Sequence, residues 1–213
     1  MERKIYNENT YLIGAGPRDD EKVIYIHQTH KTGPEVIPDV WRFSLEAFAS
    51  GYSILMNPFA DVMDAVLDAA MILDGRTYVM RSDSLEDFRL GPREHKVMLL
   101  RGGYLSPKDG AGCSWKENVM KARKNSMEIS SALLLLDNDY QDLARDALDE
   151  GKDVAVLRCT MENPHIRRLV KEGAPALDSF SSWMEFPRAI SFPMENGPFR
   201  EPGTGRRFSM IIL

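Results

Sequence analysis

Few of the 213 residues are grouped in a way that suggests chemistry. His27 and His30 follow the apolar run Val23-Ile24-Tyr25-Ile26 and would project from the C-terminal edge of a sheet, where open α/β sheets bind ligands. They read either as binding groups or as loop histidines without a role. Lys121, Arg123 and Lys124 form a short basic stretch, readable as a phosphate clamp or as the solvated face of a helix. Asp61, Asp64 and Asp68 stand at helical spacing, as a carboxylate site or as a capped, solvated helix face. Asp137-Asn138-Asp139 ends an apolar run and suits a ribose hydroxyl, a cation or a plain turn. Gly14-Ala15-Gly16 superficially suggests a dinucleotide loop, but Pro17 follows and no helix starts there, so a simple turn is expected. Cys113 and Cys159 lack neighbours at metal-ligand spacing and are read as reduced thiols; no metal and no cofactor are expected. No Ser-His-Asp, Cys-His or paired-Glu arrangement can be assembled, so catalysis is unsupported.

The elements that must position these groups follow from alternation. From Val23 onward short apolar runs alternate with amphipathic stretches, the pattern of βα units feeding a parallel sheet. Strands are expected at Val23–Ile26, Ser53–Met56, Thr77–Met80, Lys96–Leu100, Leu133–Leu136 and Val154–Leu157. Helices are expected from Asp39 as N-cap to Gly51, with Val40, Phe43, Ala47 and Phe48 inward, and over Asp61–Leu73, Lys116–Ser130, Tyr140–Glu150 and Pro164–Glu172. Gly102-Gly103 and Asp109 to Gly112 read as a flexible connection. Beyond Phe180, prolines and glycines interrupt aromatic runs. The reading is a domain over 1–180 and an irregular or β extension over 181–213. A hydrophobic content of 43% and a charged content of 28% are ordinary for a globular protein, and no apolar run approaches membrane-spanning length. With no secretory signal visible, a cytoplasmic location is expected. A net charge of −5 excludes a protein that coats nucleic acid through a broad cationic field, but leaves room for a local basic groove.

Three blocks, in order, resemble the Rossmann-like domain of the DNA-processing protein A (DprA/Smf) family, within a wider SLOG/LOG-like superfamily. The first is Ala60 to Asp68 with Gly75 to Met80, where Ala60, Asp64, Gly75 and Thr77 keep the family pattern, while Val62 replaces a glycine and Asp68 a histidine. The second runs from Gly103-Tyr104-Leu105-Ser106 through Ala122-Arg123-Lys124-Asn125 to Ile129–Asp137, with Pro107 in place of a glutamate. The third spans Ala144–Val154 and Arg168–Ala174.

The resemblance implies a Rossmann-like α/β fold and a non-enzymatic protein that binds single-stranded DNA or a nucleotide-like ligand, its basic residues holding phosphates. Arg123 and Lys124 stand at the family's Arg-Asn-Arg, with Lys121 nearby. His27-Gln28-Thr29 replaces the family's Gly-Ser-Arg, and Met56-Asn57-Pro58-Phe59 its Ser-Gly-Gly. The losses fall on groups that would touch phosphate: Pro58 removes an amide and Phe59 adds bulk. The expected ligand crevice lies beside Gln28, Asn57 and Gly102-Gly103, with Asp64 near. Phosphoribohydrolases of the superfamily carry Pro-Gly-Gly-x-Gly-Thr, which is absent here. One alternative is a small-molecule enzyme or sensor using His27, His30 and Asp64. Another is a ligand-free remnant acting through protein partners and its aromatic tail, Trp183, Phe186, Phe192 and Phe199. No membrane contact is expected, and a homodimer is left open.

Overall fold

A computed structural model describes residues 2–30, 33–86, 88–108, 113–137 and 143–185. Its strands are β1 (Lys4–Asn7), β2 (Thr10–Gly14), β3 (Val23–His27), β4 (Ser53–Met56), β5 (Thr77–Met80), β6 (Gly103–Pro107), β7 (Ala132–Leu135), β8 (Asp153–Leu157) and β9 (Ala176–Leu177). Its helices are α1 (Ile37–Ala49), α2 (Ala60–Leu73), α3 (Pro92–Leu99), α4 (Trp115–Ile129), α5 (Leu143–Asp149), α6 (Pro164–Lys171) and α7 (Phe180–Glu185). Among the described residues the strands form one sheet in the order β1-β2-β6-β5-β4-β3-β7-β8-β9. Every pairing from β6 to β9 is parallel, and the two antiparallel pairings are those of β2 with β1 and with β6.

Strands buried on both faces read as continuous apolar runs, and period-2 alternation divides each run between two cores. Ile24, Ile26, Ile54, Met56, Val79 and Leu134 face α1 and α2. Val23, Tyr25, Leu55, Tyr78, Leu133 and Leu135 face the layer holding α4, α5 and α6. The expected face of α1 is the one observed, with Val40, Phe43 and Ala47 fully buried. The helix starts at Ile37, two residues before Asp39, because Pro38 falls in the first turn, where its missing amide costs nothing. In α2, seven apolar residues are buried around more than one side, as its composition predicts.

Two expectations are corrected. Lys96–Leu100 belongs to a helix, not a strand: Pro92 opens α3 and Val97 is its buried residue. The strand lies further on, at Gly103–Pro107, all five residues of which are buried. Gly102-Gly103 is therefore no flexible connection. A Cβ on Gly102 would stand 1.8 Å from the Thr77 carbonyl oxygen, so the glycine lets α3 turn directly into β6 against β5. The N-terminal hairpin β1–β2 lies before the first expected strand, and β2 covers the free edge of β6. Gly14, the first glycine of the dinucleotide-like triplet, is the last residue of β2. Residues 138–142, which include Asn138, Asp139 and the expected start of α5 at Tyr140, lie outside the described residues. So do residues 186–213, most of the C-terminal extension with Phe186, Phe192 and Phe199. Among the described residues no helix is long and apolar enough to cross a membrane.

Candidate functional site

From β3 the chain builds outward through β4, β5 and β6, then returns to lay β7 on the other side of β3. The order reverses between β3 and β7, and the crevice beyond the C-terminal ends of those two strands is where such sheets take ligands. His27 is the last residue of β3, paired across from Leu135 of β7.

On the α4 side of the sheet, alternation sets Tyr25 and His27 on one face, both fully buried. The Tyr25 hydroxyl donates to Asn57 Oδ1 at 3.1 Å, and the Gln28 backbone amide donates to the same oxygen at 3.2 Å. His27 Nδ1 lies 2.9 Å from the Tyr25 hydroxyl. With the phenolic proton directed at Asn57, Nδ1 carries the imidazole proton and donates to Tyr25. Nε2 is then a bare lone pair, buried and without a hydrogen-bond partner among the described residues. Burial, reinforced by the Arg123 charge, pushes the imidazole down to about 3, so His27 is a neutral acceptor at neutral pH. Burial likewise pushes the Tyr25 phenol up to about 12.

Arg123 is half-buried on α4, and its field reaches both Tyr25 and His27. Lys121 and Lys124 are exposed, and Lys121 Nζ is 3.2 Å from Cys113 Sγ. The basic stretch thus divides: Arg123 leans toward β3, and the two lysines lie on the outer face of the same helix.

Beyond the strand ends, Asp137 anchors the loop after β3. Its Oδ2 accepts from the Thr29 amide at 2.7 Å, the Thr29 hydroxyl at 2.8 Å and the His30 amide at 2.8 Å. Asp137 Oδ1 is buried without a hydrogen-bond partner among the described residues. His30 is exposed, its Nδ1 3.7 Å from Asp137 Oδ2. Gln28 is buried, and its Nε2 donates to Asp61 Oδ1 at 3.5 Å.

His27, Gln28, Thr29, Asn57, Asp61 and Asp137 therefore meet at one place, with Arg123 alongside. The other predicted residues do not join them. Asp64 faces α3 in a two-pronged pair with Arg93, at 2.6 and 2.7 Å, which holds its carboxyl below the usual range. Asp68 pairs with Lys96 at 3.2 Å. Gly102 and Gly103 sit at the start of β6, on the opposite edge of the sheet from the strand ends. Among the described residues no cluster of His, Cys, Asp and Glu is arranged to hold a metal ion. Tyr25 went unrecognised as a site residue, although period 2 through Tyr25-Ile26-His27 puts both polar rings on one face.

No family model matches the sequence, and no curated protein matches it. Solved structures do. DNA processing protein A from Streptococcus pneumoniae superposes with a TM-score of 0.63 at 13% identity, over 84% of this chain and 66% of that protein. DNA processing protein A from Helicobacter pylori, whose structure concerns its single-stranded DNA binding mode, gives 0.62 at 18% identity, over 82% and 84%. The structural-genomics target TM1055 gives 0.52 at 13% identity, over 77% and 96%. This chain thus spans slightly less than two thirds of the pneumococcal protein and nearly all of TM1055. At these identities the likeness is one of fold: the chain has the Rossmann-like α/β architecture of DNA processing protein A.

Proposed function

We propose that the chain is a DprA-like binding protein that takes single-stranded DNA at the C-terminal edge of its sheet, with Arg123 as the principal phosphate contact and Lys124 and Lys121 extending the track. The observation that carries this reading is the place of Arg123. A guanidinium beside the topological switch point is suited to a phosphate, because pairing there releases counterions and the planar fork matches phosphate oxygens. The Helicobacter pylori relative supports the polymer as ligand. Charge reversal, Arg123→Glu with Lys124→Glu, should weaken binding of a labelled oligothymidylate at least ten-fold at low salt, measured by fluorescence anisotropy. Unchanged affinity would sink the reading.

A second reading, a nucleotide derivative held in the same crevice, is favoured by one observation. His27 Nε2 and Asp137 Oδ1 are acceptor atoms withdrawn from solvent without partners among the described residues, the arrangement that a ligand N–H or O–H donor would complete. Thermal shift in the presence of mononucleotides against oligonucleotides separates the two, since a true ligand stabilises the folded state by mass action. Neither reading assigns a catalytic role.

A further inference from the structure

We infer that Trp115 is a base-stacking platform for single-stranded nucleic acid, an assignment that rests on the proposed binding function and adds to its phosphate contacts a contact to the bases. Trp115 is the first residue of α4 and is 77% exposed, the most exposed large apolar side chain of the described residues. An indole left in water at a fixed position lacks the burial that ordinarily explains it.

Its position is fixed by the helix end. Ser114 caps α4 by accepting from the Glu117 amide, and the Glu117 carboxylate accepts in return from the Ser114 amide at 2.7 Å and hydroxyl at 2.8 Å. The direction in which Trp115 faces follows from helical spacing. At about 100° per residue, Trp115 lies nearly in line with Ala122 and Ser126, which are buried against the sheet. α4 runs antiparallel to the parallel strands, entering from the end of β6 and leaving before the start of β7. Trp115 therefore continues the sheet-facing line of the helix past the C-terminal ends of the strands, about 12 Å along the axis from Arg123.

Charge selects the occupant. Within Trp115–Ile129, Lys116, Lys121, Arg123 and Lys124 are opposed by Glu117 and Glu128, and Glu117 is engaged in the cap. This is a locally cationic element on a chain of net charge −5. A protein-docking surface would set the indole among other exposed apolar side chains, but those cluster elsewhere: Met71, Ile72 and Leu73 on α2 and Leu99 on α3, with only Met120 on α4. An exposed aromatic face on a helix that also carries Lys116 and Arg123 to one side of it instead matches the stacking-plus-phosphate pattern of single-strand binders, which tolerates any base.

The test uses the full chain, an oligothymidylate, and the same oligomer with abasic sites, which keeps the phosphates and lacks the bases. For the intact oligomer, Trp115→Ala should weaken binding about ten-fold, while Trp115→Phe holds affinity within about three-fold and loses most of the tryptophan quenching seen on binding. For the abasic oligomer, wild type and Trp115→Ala should bind alike. Wild-type affinity of Trp115→Ala for the intact oligomer, with Arg123→Glu/Lys124→Glu still defective, overturns the stacking role and leaves the phosphate reading standing. So does an equal loss on the abasic oligomer. A change of oligomeric state on sedimentation, with DNA affinity unchanged, reassigns the surface to self-association. Failure of the wild-type chain to bind either oligomer overturns the binding function and this inference with it.

Discussion

A single imidazole carries a pH dependence that can be signed. His27 titrates near 3 in the folded chain against an ordinary value of 6.5. The unfolded chain therefore takes up a proton that the folded chain refuses as pH falls below 6.5. Stability from this group is complete above pH 6.5 and drains away as pH falls toward 3, on the order of a few kcal/mol in all. Urea unfolding midpoints should drop between pH 7 and 4.5 in the wild type, and His27→Gln should flatten that part of the profile while lowering stability at pH 7. An equally steep profile in the variant would show that carboxylates alone set it. His27 was legible from its place after an apolar strand. Its neutrality was not, because it depends on the depth of burial and on Arg123 arriving from a helix roughly a hundred positions later in the chain. Asp64 misled for the opposite reason: it keeps a family position, yet its partner Arg93 lies on α3, a helix that the sequence reading did not contain.

Elements were legible where periodicity ran long and ambiguous where it ran short. α1 and α2 announce themselves over thirteen and fourteen residues, whereas Lys96-Val97-Met98-Leu99-Leu100 is an apolar run too short for periodicity to separate strand from helix. Pro92 was the available signal, since proline suits the first turn of a helix. Glycines at the start of β6 were read as looseness and are the reverse, a place where only a bare backbone fits. Gly102→Ala should cost about 3 kcal/mol through the clash with the Thr77 carbonyl, lowering the melting midpoint by roughly 6–12 °C at this chain length. Differential scanning calorimetry checks it, and a midpoint within a degree of wild type would mean that β6 can shift. α7 was absent from the sequence reading because its environment is tertiary. Phe180 packs against Phe43 and Tyr52 with ring centroids 5.5 and 5.0 Å apart, and Trp183 lies 6.0 Å from Phe43.

Across the whole molecule, a net charge of −5 opposes a polyanion, while α4 carries four cationic side chains against two acidic ones. Binding should then be weak and steeply salt-dependent. Three phosphate contacts on a single strand predict a log–log slope of about −2, a loss of roughly fifteen-fold between 50 and 200 mM salt. The Arg123→Glu/Lys124→Glu variant should show a slope shallower than −1 in whatever binding remains; a slope as steep as wild type would place the phosphate contacts on other residues. The three-layer architecture was legible from alternation and the ordered motif blocks, but the antiparallel edge was not, because β2 finds its partner across most of the domain. That pairing also has a consequence in time. Thr10–Gly14 emerges from the ribosome roughly 90 residues before the strand it must cover, so at 5–20 residues per second the edge that will meet β6 waits several seconds or more unpaired. Until β6 forms, Tyr11, Leu12 and Ile13 lack the strand that seats them in the sheet, which makes this hairpin a segment of the nascent chain that a chaperone's cover would protect.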